Sequence, residues 1–66
     1  MAEQKVIFFL TSRQRQVVGL VRKAKSNKEI AQTLGITERT VKGHLTSIFG
    51  KTGVCNRVAL AVDWRF

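Results

Sequence analysis

An all-helical domain built around a helix-turn-helix is the fold that this sequence predicts, and three observations predict it. Apolar residues recur at helical spacing, with Ile30, Ala31 and Leu34 on one side of Gly35 and Val41, Leu45, Ile48 and Phe49 on the other. Residues able to cap a helix stand just before each stripe: Ser26 or Asn27 before the first and Thr37 before the second. Proline is absent, and 66 residues leave room for only about three to five short helices around one apolar cluster.

In chain order, residues 1–9 form an arm that is mostly polar up to Lys5, and the apolar run Val6, Ile7, Phe8, Phe9 and Leu10 has the composition of a strand. It has no second strand to pair with, so an extended segment laid over a helical domain of residues 10–66 is expected. Thr11 or Ser12 caps a first helix over about residues 12–23, with Val17, Leu20, Val21 and Ala24 as its inward stripe and Val18 beside it. Arg13, Arg15, Arg22, Lys23, Lys25 and Lys28 follow one another through this region without an acid.

The helix-turn-helix occupies residues 26–45, SNKEIAQTLGITERTVKGHL. Glu29 stands three residues after Ser26, as a capping box requires. Gly35 supplies the left-handed residue that ends the first of the two helices, and Gly35, Ile36 and Thr37 form the turn. So short a connection makes the helices cross steeply, and Ala31 keeps the crossing point small.

With Val41, Leu45, Ile48 and Phe49 inward, the opposite face of that second helix carries Arg39, Gly43, Thr46, Ser47 and Gly50, with no carboxylate. Lys42 lies at one edge of this face, and Thr40, His44 and Lys51 lie along the other. Such a face offers donors to phosphates and base edges, and Gly43 lets a partner come close, which is the form of a major-groove recognition helix. After Gly53 stops it, Asn56 caps a last helix to about residue 65. Val58, Ala61 and Val62 are expected inward, leaving Cys55, Ala59, Leu60, Trp64 and Phe66 as an apolar remainder. Either Trp64 and Phe66 close the core against the arm, or the remainder forms a dimer seam.

Charge narrows the partner. Twelve lysines and arginines against 4 acids give a formal net charge of +8, which favours a polyanion. A single cysteine, Cys55, and a single histidine, His44, supply neither a disulfide nor a structural zinc site, which fits a reducing cytoplasm. The longest apolar run is far too short to span a bilayer, and no membrane partner is expected. An enzyme finds little support: Glu3, Glu29, Glu38 and Asp63 are not paired at a useful spacing, no nucleophile sits near a base, and no glycine-rich phosphate loop is present. No cofactor, metal or small-molecule substrate is therefore expected. A non-specific RNA or DNA binder accounts for the charge but not for the glycine turn or the two-faced helix.

Ordered blocks of residues then show a resemblance. Leu10, Thr11 and Arg13, the run from Ser26 to Ala31, Thr40-Val41-Lys42 with His44 and Leu45, Ile48 and Phe49 with Lys51, Gly53 and Val54, and finally Arg57 closely resemble the LuxR/GerE-type DNA-binding domain of bacterial transcription regulators. The likeness covers about residues 10–62. It implies a four-helix bundle related to winged-helix domains but without the wing, binding double-stranded DNA through its third helix, often with a homodimer contact on the fourth. It places Lys42, Gly43 and Thr46 where the family reads bases, with Arg39 a candidate helper from the helix face. Asn27, Lys28, Thr37, Thr40, His44 and Lys51 fall where the family holds the DNA backbone or braces the helices. Of the apolar remainder at the end of the chain, Cys55, Ala59 and Leu60 are the candidate dimer contact. Family members usually carry an upstream receiver or ligand-sensing domain, so a free-standing regulator and an excised output domain both remain open.

The sequence also departs from that pattern. Gln14 and Gln16 replace usual glutamates, turning any ion pair there into a neutral hydrogen bond. Ala24 stands where a glycine often ends the first helix, at a cost of about 1 kcal/mol if φ is positive. Thr52 replaces a usual leucine, and Gly50 inside the recognition helix costs roughly another 1 kcal/mol. Because Gly43 has no side chain and Thr46 a short one, Lys42 is expected to carry most of the direct readout.

Overall fold

Side-chain oxygens decide where the helices begin. A computed structural model describes residues 10–54 and 56–62 and shows α1 (Ser12–Arg22), α2 (Asn27–Leu34), α3 (Glu38–Thr52) and α4 (Arg57–Val62), with no strand among the described residues. The arm of residues 1–9, Cys55, Trp64 and Phe66 lie outside them. Thr11 caps α1 through its Oγ1, which accepts from the Gln14 N–H at 3.1 Å, while the Gln14 Oε1 accepts from the Thr11 N–H at 2.9 Å. Ser26 and Glu29 form the same reciprocal box at α2, at 3.1 Å and 2.8 Å. Thr37 caps α3 by accepting from the Thr40 N–H at 3.1 Å, and the Asn56 Oδ1 accepts from the Ala59 N–H at 2.8 Å. Each such cap stabilises its helix by about 1 kcal/mol.

Left-handed residues decide where the helices end. Gly35 has φ +67° and Gly53 φ +74°, and each N–H returns to a carbonyl four residues back, Ala31 and Phe49 respectively. At the end of α1 the same geometry falls on Ala24, with φ +63°. The Ala24 N–H donates to the Val21 carbonyl at 2.9 Å and the Lys25 N–H to the Leu20 carbonyl at 3.1 Å, a Schellman closure with a Cβ where glycine is favoured. Ala24 is therefore exposed and not part of the inward stripe, and Leu20 is only half-buried; Val17, Val18 and Val21 supply the buried face.

The core joins these to Leu10, Ile30, Ala31, Val41, Leu45, Ile48, Val54 and Leu60. α2 packs chiefly on α3, forming the helix-turn-helix, while α1 spans the back of the domain against α3 and α4. Phe49, expected inward, is half-buried at the edge of this cluster. Thr52 is buried, its hydroxyl donating to the Ile48 carbonyl at 2.9 Å and accepting from the Val54 N–H at 3.2 Å.

The rotation of α4 overturns one expectation. Leu60 is 0% exposed and Ala61 is half-buried, whereas Val58 and Val62 are 73% and 74% exposed. Arg57, the first residue of the helix, is turned toward the loop between α1 and α2, and Leu60, three residues on, follows it onto the same face. A six-residue helix can bury one stripe only, and Leu60 contributes about 1.5–3 kcal/mol there. Leu60 is thus unavailable as a dimer contact.

Candidate nucleic-acid interface

The candidate interface is built on α3, whose two sides are chemically opposite. Val41, Leu45, Ile48 and Thr52 are buried, while Arg39, Lys42, Gly43, Thr46, Ser47 and Gly50 are exposed. By the period of 3.6 residues, Arg39, Lys42, Gly43, Thr46 and Gly50 lie within roughly 100° of one another, on the side away from the core. A Cβ at Gly43 or Gly50 would meet nothing within 4 Å, so no packing inside the molecule demands glycine at either place.

Hydrogen bonding sets what each side chain shows outward. The Thr46 hydroxyl donates to the Lys42 carbonyl at 3.0 Å, one turn back, so its outward offer is lone pairs and a methyl group. Lys42 and Arg39 are exposed cations that supply donors only. Thr37 and Thr40 share a hydrogen bond of 2.9 Å between their hydroxyls at the start of α3, and His44 is half-buried on the flank.

Toward its carboxyl end α3 is braced by a group that spacing alone does not reveal. Gln14 is 6% exposed, its Nε2 donating to the Ser47 Oγ at 3.0 Å and its Oε1 accepting from the Lys51 Nζ at 3.0 Å as well as from the Thr11 N–H. One neutral side chain thus caps α1 and holds α3 against it, through a neutral bond to Ser47 and a charge-assisted one from the Lys51 ammonium. The T-x-x-Q spacing of the capping box was the available signal. Ser47 and Lys51 are accordingly turned toward α1, and in this structure they brace the helix.

Asn27 and Lys28 open α2, Lys28 exposed and Asn27 half-buried. The Asn27 Oδ1 accepts from the Arg57 guanidinium, whose other arm donates to the Lys25 carbonyl. No periodicity points to this clamp; Arg57 enters the sequence reading only within the family pattern.

The surroundings are basic. Arg13, Arg15, Arg22, Lys23, Lys25 and Lys28 are all exposed. The carboxylates among the described residues are Glu29 and Glu38, and both sit in first turns, where the helix dipole favours them. Hydrogen bonds from the Ser26 backbone and side chain, aided by the nearby Lys25 charge, hold the Glu29 carboxyl below its ordinary value. A shallow groove between α1 and α2, lined by Gln16, Gly19, Leu20, Lys23, Thr33 and Leu34, holds none of the candidate residues and no acid, histidine or cysteine. No helix among the described residues is long and apolar enough to cross a membrane, and none of them group three or more potential metal ligands.

Known proteins share this arrangement of residues. Residues 9–63 match the family described as bacterial regulatory proteins, luxR family. The monoamine regulon transcriptional regulator of Klebsiella aerogenes is 53% identical over 51 residues, 77% of this chain and 22% of the relative. The CsgBAC operon transcriptional regulatory protein of Escherichia coli is 46% identical over 55 residues, 83% of this chain and 25% of the relative. Transcriptional regulatory protein LiaR of Bacillus subtilis is 43% identical over 53 residues, 80% of this chain and 25% of the relative. The chain therefore spans about a quarter of the length of these curated relatives. No solved structure matches it. With the match running through all four helices, the chain belongs to the LuxR family of bacterial regulatory proteins.

Proposed function

We propose that the domain binds double-stranded DNA selectively, as the output module of a bacterial transcription regulator, with α3 in the major groove. The observation that carries this is the division of α3 into a buried apolar stripe and an exposed face of cations, two glycines and a threonine without a carboxylate. Lys42 takes the part of principal base reader, its ammonium suited to guanine O6 and N7, with Arg39 beside it. Thr46 presents acceptors and a methyl, which suit an exocyclic amino group or a thymine methyl, and Gly43 lets the groove floor approach. Asn27, Lys28, Thr37, Thr40, His44 and Lys51 hold the phosphates or the helices that carry the readers.

A homodimer through α4 is the second part of the proposal. Val58 and Val62 are the exposed large apolar side chains of the described residues, one turn apart on one face, and with Ala59 half-buried beside them they replace Leu60 as the contact. The basic charge, the family and the absence of a spanning helix among the described residues support work in the bacterial cytoplasm.

Selection from random duplexes at two salt concentrations, with single-stranded RNA as competitor, tests both parts. An enriched motif that survives higher salt supports major-groove reading, and a palindromic one supports the dimer. Uniform, strongly salt-dependent binding to every duplex and to RNA would instead favour a non-specific nucleic-acid module, the reading that the short Gly43 and Thr46 side chains keep in contention.

A further inference from the structure

We propose that Arg57 is a positioning residue for the DNA-backbone contact at the start of α2, acting through the side-chain amide of Asn27. The inference rests on the proposed DNA binding and adds a residue that does not itself touch DNA. Arg57 begins α4, 30 residues along the chain from Asn27, and its guanidinium forks between the Asn27 Oδ1 and the Lys25 carbonyl. A guanidinium carries donors in a rigid planar fork, so it can hold two acceptors at once where an ammonium is a single point charge.

The fork has a consequence for Asn27. With its oxygen held by Arg57, the amide is fixed in one of its two flipped orientations, and the Nδ2 donors point away from the clamp. Asn27 is also the first residue of α2. The capping box uses the N–H groups of Ser26 and Glu29, and those of Asn27 and Lys28 have no partner among the described residues. A phosphate oxygen seated there would meet the Nδ2 donors, these backbone N–H groups and the Lys28 side chain. The Lys25 arm of the fork pins the connection that follows the left-handed Ala24, so the start of α2 is held from both sides.

The test compares Arg57→Lys, Asn27→Ala and the double variant of the full chain on the duplex selected by the unaltered protein and on a random duplex. Arg57→Lys keeps the charge, and we expect it to lose affinity about five- to tenfold on both duplexes alike with an unchanged salt slope. The loss should shrink markedly in the Asn27→Ala background, because the amide through which Arg57 acts is then gone and only the Lys25 arm of the fork is left to lose. Additive losses in the double variant, or a salt slope lowered by about 0.9 as for a lost phosphate contact, would overturn the role.

A second readout does not depend on the Arg57 variant folding. The Asn27 side-chain amide resonances of the unaltered chain should shift when either duplex is added, and no shift would overturn the proposal. An unaltered chain that binds no duplex would remove the DNA-binding reading with it, whereas binding with additive losses removes this inference alone.

Discussion

Replacing Gly43 by alanine should strengthen the fold and weaken DNA binding, two effects of opposite sign from one methyl group. Gly43 lies inside α3 with ordinary helical backbone, and an added Cβ meets nothing within 4 Å. In a helix interior, glycine is less favourable than alanine by about 0.8–1.0 kcal/mol, so Gly43→Ala should stabilise by about that much. For a domain of this size that is a rise of roughly 4–8 °C in Tm. On DNA the same methyl stands where the backbone of α3 is proposed to approach the bases. Pushing the partner out by part of a van der Waals radius lengthens the neighbouring Lys42 and Thr46 contacts, and losing one good base contact costs about 1–3 kcal/mol, or roughly 5- to 150-fold in affinity. Gly19, in α1 and equally open to a Cβ, provides the control: Gly19→Ala should give the stability gain without the binding loss. Thermal unfolding and fluorescence anisotropy on the selected duplex read the two effects. Binding undiminished in Gly43→Ala would refute the close approach, and a lowered Tm would refute the placement of Gly43 on an open helix face.

Ala24→Gly should raise stability by about 0.5–1 kcal/mol in urea unfolding, the relief of a Cβ at φ +63° less the extra freedom glycine gives the unfolded chain; a loss would mean that the Schellman closure is not formed. Lys42→Ala should cost about 1–3 kcal/mol on the selected duplex and flatten sequence preference. Lys28→Ala should weaken all duplexes alike and reduce the salt slope by about 0.9, so a sequence-selective loss there would contradict a phosphate role. Glu29 contributes pH-dependent stability of definite sign. Its carboxyl titrates below the ordinary 4.5, so its contribution is complete above that value and is lost as pH falls through the lower folded one. The stability difference between the unaltered chain and Glu29→Gln should be constant above that pH and shrink below it, and a difference that first changes near neutrality would contradict the cap.

The helix-turn-helix was legible in the sequence because its determinants are local. Ser26 and Glu29, Gly35, and Thr37 each act within a few residues, and the stripe of Val41, Leu45 and Ile48 marks the buried side of α3 by spacing alone. The identity of α4's buried face was not legible. In a six-residue helix rich in small apolar residues, Val58, Ala61 and Val62 make as plausible a stripe as Leu60 with its neighbours, and the choice follows from where Arg57 is held, a contact made 30 residues away. Gln14 was half legible: its place in a capping box can be read from T-x-x-Q, but its hold on Ser47 and Lys51 depends on how α1 and α3 cross.

Backbone amide chemical shifts of the isotopically labelled chain, followed as the selected duplex is added, test the proposed interface most directly. The largest changes should fall on Arg39, Lys42, Gly43 and Thr46 of α3 and on Asn27 and Lys28 at the start of α2. Changes centred on the groove between α1 and α2, with α3 left unmoved, would contradict it.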